Sequence, residues 1–94
     1  MKAGFFEVDI TPRVGVGLCG FGPYLNRYSI GVRDVLKARA AAFEQDGTKA
    51  VIVSCDLIGI TTEIAQKVKQ LVEKGTGVPS ENVMVHCTHT HSGP

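Results

Sequence analysis

Two histidines near the end of the chain are the residues whose type and spacing best suit chemistry. His89 and His91 follow the apolar run 83–85. Because residues i and i+2 of an extended chain point to the same face, both imidazoles are predicted to converge on one metal ion or one anionic group. Zinc normally takes three or four protein ligands, so the sequence would end inside such a site. On spacing alone, two solvated loop histidines are an equally good interpretation.

The segment that carries these histidines is predicted to end a crossover. Residues 49–55 and 83–88 have the apolar pattern of strands, and an amphipathic helix is expected between them. The helix is predicted to begin with N-cap chemistry at Thr61 and to end at a C-cap glycine, Gly75. Strand, helix and strand in this order form a right-handed crossover in which the two strands are parallel.

Asp56 follows the first of these strands directly. Loops after parallel strands share one edge of the sheet, where open α/β sheets place ligands, so Asp56 is expected to lie near His89 and His91. Three roles remain open for its carboxylate. It orients a metal-ligating histidine from outside the coordination sphere, it accepts hydrogen bonds from loop amides, or it is a solvated turn residue.

The rest of the chain completes a mixed sheet. Residues 5–10 and 35–44 are predicted strands, and Asp46-Gly47 is a strong two-residue hairpin signal before strand 49–55, whose nearly continuous apolar character predicts burial on both faces. Residues 13–31 form a long glycine-rich loop, a length typical of functional loops. The predicted fold class is α/β, a mixed sheet with a β-hairpin and a βαβ crossover and the helix on one face, forming part of a domain.

The glycine-rich loop contains the letters of a dinucleotide-binding fingerprint, Gly15-x-Gly17-x-x-Gly20. That motif must lead from a strand straight into a helix, and Phe21-Gly22-Pro23 cannot open a regular helix, so we reject it. A loop whose backbone approaches a ligand closely remains open, beside simple chain reversal.

Composition limits the classes of function. Ninety-four residues suffice for one small domain, and a net charge of +1 with scattered basic residues argues against nucleic-acid binding. The odd number and irregular spacing of the three cysteines, Cys19, Cys55 and Cys87, argue against a disulfide framework and favour reduced thiols. Cys55 and Cys87 fit small core positions, and Cys19 is expected to be the most exposed.

Targeting signals are also missing from the sequence. No run approaches the roughly 18 apolar residues of a membrane span, and acidic Glu7 and Asp9 follow the N-terminus too soon for a signal peptide. The expectation is a cytoplasmic protein, or a secreted one whose targeting segment was removed.

Five sequence landmarks, in the same order, resemble the neutral (non-lysosomal) ceramidase family. The resemblance covers essentially the whole chain, and the last landmark is the specific one. The landmarks are Val8-Asp9-Ile10-Thr11-Pro12, Cys19-Gly20-Phe21-Gly22, Ala38-Arg39-Ala40, Ser54-Cys55-Asp56-Leu57 and Thr88-His89-Thr90-His91-Ser92-Gly93-Pro94.

The resemblance implies the N-terminal portion, residues 1–94, of a zinc-dependent amidase domain that cleaves the N-acyl bond of ceramide or a related lipid or small-molecule amide. It implies that His89 is the first zinc (Zn²⁺) ligand, that His91 contacts substrate or the oxyanion, and that Gly20 lines the same pocket. The family completes its zinc site with a second histidine, a glutamate and a tyrosine from later in the chain. Residues 1–94 alone are therefore expected to be inactive and to associate as homo-oligomers.

Two other functions remain open. One is a standalone, non-catalytic α/β domain that self-associates or binds a partner through an exposed strand edge. The other is a different metal hydrolase with His-x-His on a first barrel strand, which the late position of the motif disfavours.

Overall fold

The protein is a four-stranded mixed sheet with one helix on one face, seen in a computed structural model that describes residues 1–22 and 26–94. The sheet order follows the chain order; the first three strands pair antiparallel and the last pair is parallel. The elements are β1 (Lys2–Asp9), β2 (Lys37–Gln45), β3 (Thr48–Cys55), α1 (Thr62–Thr76) and β4 (Val83–Cys87), with a short 3-10 turn at Ser80–Asn82 before β4. The predicted fold class is confirmed.

The hairpin between β2 and β3 turns at the predicted dipeptide. Asp46 and Gly47 both have positive φ, 52° and 80°, as a two-residue turn of this kind requires. Gln45 and Thr48 close the turn as paired residues. This turn fixes the register of β2 against β3, and β1 then pairs along the whole outer edge of β2. That pairing starts β1 at Lys2, three residues before the predicted start.

Helix α1 begins where predicted and ends later. The Thr61 side chain accepts a hydrogen bond from the Ile64 amide at 3.2 Å. The predicted C-cap at Gly75 is wrong, because Gly75 lies inside the helix. Gly77 is the residue in the left-handed conformation, with φ 79°, and its amide donates to the Glu73 carbonyl at 2.8 Å. Two glycines two residues apart offer the same signal, and the backbone uses the second.

The helix covers only half of the sheet, on one face. Val51 and Val83 on β3 and β4 are buried with Val78 in a small core. The opposite face is open: Ile52 is 42 % exposed and Phe5 is 75 % exposed. The prediction that β3 is buried on both faces is therefore wrong for the described residues, because successive side chains alternate and only one set meets α1. The expected association into homo-oligomers stays a prediction.

The glycine-rich loop is irregular in its described part and includes a single antiparallel bridge between Gly17 and Tyr28. Pro23, on which the rejection of the dinucleotide motif partly rested, lies outside the described residues. Among those described, no helix combines the length and apolar character needed to cross a membrane.

Glycines 75 and 77 provide a matched test of the helix end. A Cβ at either position meets no atom within 4 Å, so only the backbone distinguishes them. Gly75→Ala should raise the free energy of unfolding by about 0.5–1 kcal/mol, because alanine is the better helix former. Gly77→Ala should lower it by about 1 kcal/mol, because alanine resists the left-handed conformation. Urea unfolding of the two variants measures both changes. If the two variants changed the free energy of unfolding in the same direction, the assigned helix end would be contradicted.

Candidate functional site

The C-terminal ends of β3 and β4 meet at one edge of the sheet, as the crossover predicts. Hydrogen bonding continues past both strands: the Thr88 amide donates to the Cys55 carbonyl and the His89 amide to the Leu57 carbonyl, each at 3.0 Å. The segments that follow the two strands are therefore held side by side. Asp56 belongs to one segment and the two histidines to the other.

His89 is not in an extended conformation. Strand β4 ends at Cys87, and His89 has φ 64°, in the left-handed region. The alternation argument for the histidine pair is therefore wrong in its premise. The two rings nevertheless lie side by side, because the chain bends here: the ring centroids of His89 and His91 are 4.8 Å apart at an interplanar angle of 71°.

A backbone carbonyl fixes the proton on the ring of His89. Its Nδ1 lies 2.8 Å from the carbonyl oxygen of Ile58. A carbonyl oxygen can only accept, so Nδ1 carries the proton and donates it. In the neutral ring, Nε2 is then left with a lone pair. The side chain is solvent-exposed. This is the arrangement in which a histidine binds a metal, with its other nitrogen oriented by a hydrogen bond.

His91 has the opposite arrangement. The backbone amide of Phe21 lies 3.3 Å from its Nδ1. An amide N–H can only donate, so Nδ1 is the acceptor and the proton of the neutral ring is on Nε2. The ring also packs edge-to-face against Phe21, with centroids 5.2 Å apart. His91 is thus set to donate a hydrogen bond from Nε2, whereas His89 is set to accept or to coordinate.

Gly20 lies directly against the ring of His91. A Cβ at position 20 would come within 2.7 Å of Cγ and of Nδ1 of His91, closer than side chains approach one another. The backbone of Gly20 also has φ 103°, which residues with a side chain rarely adopt. The next amide along the chain, that of Phe21, makes the hydrogen bond to the ring. Only glycine allows that close approach.

Arg27 joins the glycine-rich loop to the segment of His91. Its Nη2 donates to the carbonyl of Cys19 at 3.0 Å and to that of His91 at 2.9 Å. The guanidinium also lies 4.8 Å from the ring centroid of Phe21, a cation–π distance. Sequence reasoning missed Arg27, because it is 64 residues from His91 and belongs to no motif. Ile58 was missed because a backbone carbonyl has no residue-type signal.

The Asp56 carboxylate accepts hydrogen bonds from the start of β2 and from the residue that follows β4. Oδ2 accepts from the Lys37 amide at 3.0 Å and from Arg39 at 3.3 Å, and Oδ1 accepts from the Thr88 hydroxyl at 3.3 Å. The Lys37 amide is the main cause that holds the pKa of Asp56 below its ordinary value, with Arg39 and Thr88 adding to it against partial burial. These contacts resemble the second of the three predicted roles, except that the amide belongs to the first residue of β2 and not to a loop. Among the described residues, no hydrogen bond joins Asp56 to either histidine, and its role toward a metal stays a prediction.

The site has few metal donors of its own. Within residues 1–22 and 26–94, no group of three or more His, Cys, Asp or Glu side chains is placed to hold a metal ion. His89 offers one free nitrogen lone pair, and the Nδ1 of His91 is occupied by the Phe21 amide. The donor set fits one protein ligand of a metal and one neighbouring hydrogen-bond donor.

A groove of about 580 Å³ lies beside the histidine segment, between the glycine-rich loop and the last residues of the chain. Thr90, Ser92 and Gly93 form one wall. The rest of the lining is mixed. Apolar side chains, among them Val16, Leu18, Tyr28, Ile30, Val32 and Leu36, lie beside the polar and charged Thr11, Ser29, Arg33 and Asp34.

These features define an α/β domain that presents a histidine pair at the C-terminal edge of a mixed sheet, against a glycine loop. Comparison with known proteins identifies the family. The profile of the family described as "Neutral/alkaline non-lysosomal ceramidase, N-terminal" matches residues 1–94. The chain belongs to this family, which confirms the resemblance seen in the sequence.

Individual relatives agree. The chain is 38% identical to neutral ceramidase B of Dictyostelium discoideum over 98 aligned residues, covering 98% of this chain and 13% of that protein. It is 37% identical to the neutral ceramidase of Pseudomonas aeruginosa, covering 99% of this chain and 14% of that protein. A solved structure described as "Ceramidase complexed with C2" superposes with a TM-score of 0.85 at 36% identity, over 98% of this chain and 15% of that chain. The chain thus spans about one seventh of the length of these relatives.

Gly20→Ala is expected to displace the ring of His91 and to break its hydrogen bond to the Phe21 amide. The proton on His91 should then no longer be confined to Nε2, and ¹⁵N chemical shifts of the imidazole measure this directly. Gly15→Ala is the matched control, because Gly15 has φ 102° but nothing within 4 Å of a Cβ. If both variants shift the His91 signals equally, backbone strain and not the methyl group is responsible.

Asp56→Asn should lower the free energy of unfolding most at neutral pH. Because the folded-state pKa of Asp56 is lowered, the carboxylate stabilises the fold fully above its unfolded pKa of about 4. That contribution is lost as pH falls below this value and through the folded pKa. The difference between wild type and variant in urea unfolding should therefore shrink toward acid pH. Thr88→Val, which removes only one donor, should have a smaller effect, and a pH-independent difference would contradict the assignment.

Proposed function

We propose that residues 1–94 are the N-terminal portion of the catalytic domain of a zinc-dependent amide hydrolase, acting on ceramide or a related N-acyl amide. In this proposal His89 is a zinc ligand and His91 donates a hydrogen bond to the developing oxyanion. The observation that carries the proposal is that Nδ1 of His89 faces a carbonyl oxygen whereas Nδ1 of the adjacent His91 faces an amide N–H. Family membership and the named relatives support the substrate class.

The chemistry divides between the two rings. Zinc, when bound, supplies a Lewis acid that lowers the pKa of a bound water toward about 7 and polarises an amide carbonyl. The chain supplies Nε2 of His89 as a ligand and uses the Ile58 carbonyl to hold that ring in the metal-binding tautomer. It supplies Nε2–H of His91 as a donor near the reacting carbonyl. Donors fixed before the reaction stabilise a developing oxyanion at no cost in reorganisation.

The glycine loop sets the donor in place. The Phe21 amide keeps the proton of His91 on Nε2, and Gly20 allows that amide to reach the ring. Arg27 fixes the loop to the backbone of His91 at the same point. The apolar side chains of the groove beside Thr90 and Ser92 form the proposed surface for an acyl chain, and Arg33 and Asp34 on the same lining are proposed to face polar parts of the substrate.

One ligand does not complete a catalytic zinc site, which takes about three protein ligands and keeps a position for water. The remaining ligands are proposed to be the histidine, glutamate and tyrosine that the family resemblance implies. Residues 1–94 by themselves are accordingly proposed to be inactive.

Substitution of the histidines in the complete gene product tests the proposal. His89→Ala should abolish zinc retention and amidase activity together, because it removes a ligand. His91→Ala should keep the zinc and lower the rate by about 10²–10³-fold, the usual cost of one oxyanion donor. Zinc content by elemental analysis and turnover of an N-acylsphingosine measure the two effects.

His86→Ala is the matched control. His86 is exposed on β4, three residues before His89, and its Nδ1 lies 3.0 Å from the hydroxyl of Ser54. It should change neither zinc content nor rate. If the His89 variant retains stoichiometric zinc, or if loss of His91 removes the metal, the assigned roles are wrong.

A further inference from the structure

Two cysteines lie directly opposite each other on the strands that carry the site. Cys55 and Cys87 are register partners at the C-terminal ends of β3 and β4. Neighbouring strands lie about 4.7–4.9 Å apart, and partners in a parallel pair point to the same face. Disulfides join Cα atoms that are about 4.4–6.8 Å apart, provided that the Cβ vectors do not diverge. The backbone therefore places the two Cα atoms within the range of a disulfide. The strand ends would have to close by about half an ångström to bring the Cβ atoms to the roughly 3.5–4.5 Å that the bond takes.

The two thiols are free and half-buried, whereas Cys19 is exposed in the glycine-rich loop. Burial is the main cause that raises the pKa of the Cys55 thiol, and the neighbouring Cys87 adds to it, so the thiolate of Cys55 forms less readily and oxidation of the pair is expected to be slow. The core interpretation accounts for the half-burial of each cysteine. It does not account for a second thiol directly across the strand pair.

The pair sits at the base of the histidine segment. The carbonyl of Cys55 accepts from the Thr88 amide and also from the Leu57 amide, at 3.0 and 2.9 Å. Cys55 lies three residues before Ile58, whose carbonyl faces the ring of His89. Cys87 lies two residues before His89 itself. A covalent bond between the two sulfurs would join the same strand ends that these hydrogen bonds join.

We propose that Cys55 and Cys87 are a modification site, a dithiol that a low-molecular-weight disulfide such as oxidised glutathione converts reversibly to a cross-strand disulfide. One thiolate attacks the glutathione disulfide and releases one reduced glutathione, leaving a mixed disulfide. The second cysteine attacks the protein sulfur of that mixed disulfide and releases the second glutathione. The two cysteines lose two electrons and two protons, and the glutathione disulfide gains them. This proposal does not depend on the zinc site or on the amidase reaction.

The test is disulfide mapping of the complete, natively folded gene product. The protein is equilibrated with oxidised and reduced glutathione, remaining thiols are blocked with N-ethylmaleimide, and unreduced peptides are analysed by mass spectrometry. We expect a cross-linked peptide pair containing Cys55 and Cys87, lighter by two hydrogens than the sum of its parts. Treatment with dithiothreitol should return both peptides.

Single substitutions sharpen the result. Cys55→Ser and Cys87→Ser should each abolish the cross-link and leave the other cysteine as a mixed disulfide with glutathione. Cys19→Ser should leave the cross-link unchanged. If a variant fails to fold, disulfide mapping of the wild-type protein still tests the proposal. Full alkylation of both cysteines after oxidation, or a cross-link from either of them to Cys19 or between molecules instead, would overturn the proposal.

Discussion

The parallel pairing of β3 with β4 is the constraint on which the site depends. The register places Cys55 opposite Cys87 and continues beyond both strands through the amides of Thr88 and His89. These hydrogen bonds hold the segment of Asp56 and Ile58 beside the segment of His89. Helix α1 has a supporting function: it packs on β3 and β4 and makes the parallel connection possible, but contributes no side chain to the histidine pair.

The two histidines differ because backbone groups of opposite polarity meet them. A carbonyl at residue 58 requires a proton on the facing nitrogen of His89, and an amide at residue 21 forbids one on the facing nitrogen of His91. Side chains of the same type and almost the same sequence position thus become a lone-pair donor and a proton donor. Assigning the roles to backbone groups makes them insensitive to substitution at residues 58 and 21, so long as the loops keep their positions.

Sequence reasoning predicted the features that depend on local chemistry. The hairpin at Asp46-Gly47, the N-cap at Thr61 and the order of strands follow from short patterns, and the shared sheet edge follows from the crossover rule. The predicted helix end was wrong because Gly75 and Gly77 carry the same local signal. The prediction that Ile52 is buried was wrong. An apolar run shows which side chains a strand can bury, whereas their exposure depends on what packs over the strand. The rejection of the glycine motif as a nucleotide site stays a prediction, and the contact of this loop with His91 spans 70 residues and has no local signature.

The distance along the chain between the halves of the site has a consequence for folding. The hairpin between β2 and β3 closes over two residues, whereas the Phe21 amide and the ring of His91 are 70 residues apart in the sequence. Closing a longer loop costs more entropy, and contacts of high sequence separation form slowly. We therefore expect the hairpin to form early and the environment of His91 to be among the last parts to assemble. Until then the imidazole is free to exchange its proton between its two nitrogens, so the completed fold is what turns an ordinary histidine into a directed donor.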